Sequence, residues 1–106
     1  MLPWIILIIS GVLEAVWATA LGKSEGLTKL WPSVTFFVAL ALSMAGLAYA
    51  MRDIPTGTAY AVWVGIGAAL TVSYAMVFGG ETGSLLKVLL VLGIIGCVIG
   101  LKALDG

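Results

Sequence analysis

Four long apolar runs, separated by three short polar breaks, organise the chain. The first run covers about Leu2 to Leu21 and contains one charge, Glu14. The break Gly22–Lys29 is the most polar stretch of the sequence, and Leu30 to Met51 then carries no charge at all. Arg52-Asp53-Ile54-Pro55-Thr56 reads as a tight connection, because proline disfavours helix at the residue before it and charges mark a membrane interface. Ile54 to Gly80 is again uncharged, Gly79–Gly83 is a glycine-rich turn, and a last run from about Ser84 to Leu104 has Lys87 and Lys102 near its ends, where they can snorkel. The runs are continuous rather than alternating, which predicts helices and argues against a membrane β-barrel. The expected spans are about 2–21, 32–51, 56–79 and 84–104, each close to the roughly 20 residues that cross a bilayer. Pro3 and Pro32 fall near helix starts, where a missing N–H costs least.

Composition turns this pattern into a fold class. Of 106 residues, 62% are apolar and 9% charged, against roughly 45–50% and 25% in soluble domains. A water-soluble globular fold is excluded, and four spans leave no room for an extramembrane domain. The expectation is an all-α membrane protein whose residues 1–106 form a single four-helix transmembrane domain. Ala18-Thr19-Ala20 imitates a signal-peptide cleavage site, but no Lys or Arg precedes the first run and a carboxylate interrupts it, so the run is read as a retained span. Five basic and five acidic residues with no histidine provide neither a nucleic-acid patch nor an acidic tail. A single cysteine, Cys97, forms no intrachain disulfide, and no metal or cofactor is expected.

Charge placement bears on orientation. Lys23, Lys29 and Lys87 fall on one side of the membrane, Arg52 and Lys102 on the other, so the positive-inside rule gives almost no bias. Such a chain either keeps one weakly preferred topology or inserts both ways. Two oppositely inserted copies would mimic the inverted repeats that larger transporters carry in one chain. Four helices can hardly enclose a substrate cavity alone, so a homodimer is expected in either case.

Glu14 dominates the candidate chemistry. An acidic side chain near the middle of a span costs about 2.5–3.5 kcal/mol on insertion scales. The nearest cation in sequence is Lys23, about 13 Å away along a helix. Glu14 must therefore face a bundle interior or a watery cavity, as a site that holds a proton or a cation. Ser10 and Gly11 lie one turn before it, Trp17 and Ala18 one turn after. Gly11 leaves room beside the carboxylate, and Trp17 supplies an aromatic wall and an N–H. In the third span Tyr60, Trp63, Gly67, Thr71 and Tyr74 recur at steps of three and four, forming one stripe. The second span aligns Ser43 with Ala39, Gly46 and Ala50 on a narrow small-residue face. Trp4 and Trp31, at span ends, read as interfacial anchors. In the fourth span Gly93, Gly96 and Gly100, with Cys97 among them, mark a helix-packing or dimer face.

Glu14, the stretch Pro55-Thr56-Gly57-Thr58-Ala59-Tyr60-Ala61-Val62-Trp63 and the terminal Gly100-Leu101-Lys102 together resemble the small multidrug resistance family over essentially the whole chain. The segments Gly11–Ala18 and Trp63–Ala68 are similar to its guanidinium-exporter branch; the drug-exporting branch usually has a smaller residue at the position of Trp17. Gly22-Lys23 departs from the more usual Leu-Lys-type ending of the first helix. The resemblance implies an antiparallel, dual-topology homodimer in the bacterial plasma (inner) membrane that exchanges protons for a cation at two central glutamates. Glu14 would be the shared proton and substrate ligand. Ser43, Trp17 and Trp63 would orient it by hydrogen bonds, Tyr60 would line the site and link it to the alternating-access switch, and Gly11 would give the substrate room.

The physics suits that assignment. Guanidinium is planar, presents a fork that matches a carboxylate bidentately, and stacks on aromatic faces. A carboxylate that takes a proton or the cation, but not both, couples their movements without an enzymatic step. The rivals are a proton-coupled exporter of quaternary ammonium or other hydrophobic cations, a dual-topology ion channel, and a small structural or regulatory membrane subunit.

Overall fold

The computed structural model describes residues 1–105, so Gly106, the last residue of the expected domain, lies outside the described residues. The chain is all-helical: α1 (Leu2–Lys23), α2 (Leu30–Ala50), α3 (Thr56–Val77) and α4 (Leu85–Asp105). All four are long and apolar enough to cross a membrane. Their 21 or 22 residues correspond to about 32 Å at 1.5 Å per residue, the thickness of a hydrocarbon core.

Local chemistry sets the helix ends. Pro3 and Pro32 occupy the first turns of α1 and α2, and Pro55 is the N-cap of α3, so none of the three removes an intrahelical hydrogen bond. Helix α1 runs on through Gly22 and Lys23 and stops at a buried serine. The Ser24 hydroxyl donates to the Leu21 carbonyl at 2.7 Å and accepts the Leu27 N–H at 3.0 Å. That bond closes a turn in which Glu25, Gly26 and Leu27 all have positive φ, of 51°, 73° and 70°. Helix α4 starts at Ser84, whose hydroxyl accepts the Lys87 N–H at 3.1 Å, a side-chain N-cap.

Helix α1 packs along both α2 and α3, α4 packs on α3, and α2 and α3 barely touch. The result is a slab of 41 × 34 × 17 Å, less than two helix diameters thick. Its core gathers at one end, where Leu7 of α1, Leu47 and Ala50 of α2, Ile54 of the connection, and Ala59, Val62 and Trp63 of α3 bury one another. At the other end the helices part around a cleft of about 620 Å³. Helix α4 covers the α3 flank and is itself almost bare, with Val91 its one buried residue among those described.

Candidate functional site

Glu14 lies on the face of α1 that also carries Leu7, Ser10 and Gly11, all buried. Spacings of three and four residues stack these positions toward α2 and α3. Glu14 is 9% exposed, and its carboxylate enters no hydrogen bond or ion pair among the described residues. It rests against Gly67 of α3: a Cβ there would overlap a carboxylate oxygen and lie 2.5 Å from Cδ and 2.7 Å from Cγ of Glu14. Gly67 is thus the recess that receives the acid. Gly11 has a different neighbour, because a Cβ at this position would come within 2.8 Å of Ile66 on α3. Within one subunit the space beside Gly11 is filled by that isoleucine.

Ser43 and Trp63 meet below the acid. The Trp63 indole N–H donates to Ser43 Oγ at 3.0 Å, and Ser43 Oγ donates to the Ser10 carbonyl at 2.7 Å. That carbonyl is also the i−4 acceptor for the Glu14 backbone N–H in α1. The chain of bonds joins α3 to α2 to the backbone that carries Glu14, and it does not reach the carboxylate itself. Gly46 makes the junction close enough, since Ser10 Oγ occupies the space its Cβ would need.

Aromatic rings cluster on the turns of α1 and α3 next to Glu14 and Gly67. Trp17 makes an edge contact with Phe36 at 5.9 Å between centroids and lies 6.4 Å from Trp63, which lies 5.8 Å from Tyr60. Trp63 is buried and Tyr60 is 55% exposed, so the cluster runs from the core to an open side. The indole N–H of Trp17 is buried and unpartnered among the described residues; an unmatched buried donor costs about 1–3 kcal/mol. Further along the α3 stripe, Thr71 turns its hydroxyl back to the Gly67 carbonyl at 2.6 Å, and Tyr74 stands beside Lys23 at the far end. Gly93, Gly96 and Gly100 take no part in this cluster: all three are exposed on α4 with open space above them. Phe36 and Gly67 are absent from the residues the sequence put in the site. Phe36 extends the Ala39–Ser43–Gly46–Ala50 face by one step of three, and Gly67 already lay on the α3 stripe, so the spacing contained both signals.

Comparison with known proteins places this cluster in context. Residues 2–95 match the family described as Small Multidrug Resistance protein. The chain belongs to that family. It is 48% identical over 101 residues to the guanidinium exporter of Yersinia pseudotuberculosis serotype I, covering 95% of this chain and 97% of the relative. The guanidinium exporter of Escherichia coli K12 is 48% identical over 99 residues, covering 90% and 94%. That of Proteus vulgaris is 43% identical over 101 residues, covering 95% and 97%. With four membrane-length helices and relatives named for export, this small multidrug resistance protein is a multi-pass membrane transporter and not an enzyme.

Proposed function

We propose that the chain exports guanidinium, and small alkylguanidiniums, in exchange for protons across the bacterial inner membrane, with Glu14 holding either the proton or the cation. The observation that carries this reading is the buried, unpaired Glu14 carboxylate seated in the Gly67 recess, with the ring cluster of Trp17, Trp63 and Tyr60 on neighbouring turns of α1 and α3. A carboxylate offers two oxygens to the N–H fork of a guanidinium, and flat rings offer it a stacking face. The names of the relatives supply the same cation.

The working unit in this reading is an antiparallel homodimer of the whole four-helix chain. A slab 17 Å thick is too thin to enclose a substrate, and the half-exposed Tyr60 leaves the aromatic cluster open on one side. A second copy would close that side, and the uncovered glycine face of α4 offers a contact for it. Basic residues divided three to two between the two sides fit insertion in both orientations. The unmatched Trp17 N–H is the donor we assign to a Glu14 carboxylate. Ser43 and Trp63 act one step back, by fixing the backbone of α1.

Aromatic rings beside an acid also suit a quaternary ammonium, which is the second reading. Proteoliposomes given a pH gradient separate the two when guanidinium and tetraethylammonium are run side by side. Proton-driven guanidinium flux that exceeds tetraethylammonium flux and vanishes in Glu14→Gln is expected. Flux that persists in the variant would overturn the mechanism, and flux indifferent to the gradient would indicate a passive channel.

A further inference from the structure

The cleft of about 620 Å³ is not lined by Glu14 and lies between α1, the start of α2 and the end of α3. Its walls are apolar along most of their length, and Lys23 is the one charged residue that lines it. Three of the chain's basic side chains are instructive by comparison. Lys29 pairs with Glu25 and Lys87 with Glu81, each at 3.3 Å. Lys23 has no carboxylate within 4.0 Å among the described residues; its ammonium donates to the neutral Tyr74 hydroxyl at 3.3 Å and sits 5.3 Å from the centre of that ring. The contact holds a full positive charge at the mouth of an apolar groove and leaves it uncompensated.

The depth of the groove is informative. Its lining on α1 runs from Lys23 to Val12, eleven helical steps or about 16 Å, which matches one leaflet of a hydrocarbon core roughly 30 Å thick. Thr19 and Thr35 line it about one turn below the helix ends, the depth at which ester groups of a lipid lie beneath the headgroup. We propose that this groove is a binding site for an anionic phospholipid, with its phosphate on Lys23 and one acyl chain lying along Val16 toward Val12. Charge complementarity selects this occupant. A zwitterionic lipid carries the same phosphate but offsets it with its own ammonium, so its net attraction to Lys23 is weaker. A second copy of the chain has its uncovered small-residue face elsewhere, on α4.

The test is native mass spectrometry of the purified protein from micelles holding dioleoyl phosphatidylglycerol and dioleoyl phosphatidylcholine in equal amounts. The wild type is expected to retain phosphatidylglycerol preferentially. Lys23→Gln should lower that preference about fivefold, the effect of one lysine on an anionic lipid, and Arg52→Gln, the same charge change at the other end of the bundle and outside either groove, should leave it intact. Val16→Trp, at a position 41% exposed where the larger ring is tolerated, should fill the groove and lower retention with Lys23 still present. Equal retention of the two lipids by the wild type, or equal losses in the Lys23 and Arg52 variants, would overturn the proposal. So would a Val16→Trp protein that falls apart into monomers yet keeps its lipid preference, since the groove would then belong to a second copy.

Discussion

Gly67→Ala is the sharpest perturbation available at the site. The added methyl would overlap a carboxylate oxygen of Glu14 and lie 2.5 Å from its Cδ, where ordinary contact begins near 3.4 Å. The acid must therefore retreat by more than 1 Å, through a side chain forced off its rotamer or through separation of α1 from α3. Overpacking of this kind costs about 1–3 kcal/mol, and forcing a side-chain torsion off its minimum costs about 0.5–1.5 kcal/mol. If that cost falls on the bound geometry, guanidinium affinity should drop by about 5- to 150-fold. Isothermal titration of guanidinium into the detergent-purified protein reads the change directly, with far-UV circular dichroism checking that the helices remain. Gly22→Ala, at the end of α1 with open space above its Cα, is the matched control and should bind as the wild type does. A folded Gly67→Ala protein with unchanged affinity would refute the idea that this recess positions the acid.

Other outcomes follow from the same geometry. Trp17→Ala should weaken guanidinium flux more than tetraethylammonium flux in proteoliposomes, because it removes an N–H donor as well as a ring; equal losses would count against Trp17 as a selectivity element. Ser43→Ala strands the buried Trp63 N–H and should lower stability by about 1–3 kcal/mol, read as a shift in the denaturation midpoint in mixed micelles, while Ser43→Thr retains most of it. Gly96→Leu should weaken self-association measured by crosslinking, since a large side chain stands off two helices that small residues let approach; unchanged crosslinking would move the dimer contact away from α4.

The helical class was the most legible feature. Uncharged runs of bilayer length leave the backbone no option but to satisfy its own hydrogen bonds, and four such helices are what the chain forms. Glu14 was conspicuous for the related reason that an acid mid-span is costly unless it faces inward. Partners across helices were harder to read. Sequence periodicity puts Ser43 and Trp63 each on one face of its own helix, but the relative heights of α1, α2 and α3 depend on close approaches at Gly46 and Gly67. Those approaches send the Trp63 and Ser43 hydrogen bonds to each other and to the Ser10 carbonyl, where the resemblance had implied bonds to the acid. They also fill the space at Gly11 with Ile66. Phe36 went unnoticed because one aromatic among several on an apolar helix looks the same whether it meets lipid or Trp17.

In the proposed exchange, proton and cation occupy Glu14 by turns. Proton release during guanidinium binding, followed with a pH indicator in weakly buffered detergent solution, tests this most directly. Titration with guanidinium should acidify the medium under conditions where Glu14 starts protonated, and Glu14→Gln should give no signal. Guanidinium binding to the wild type with no release of protons at any pH would contradict the account.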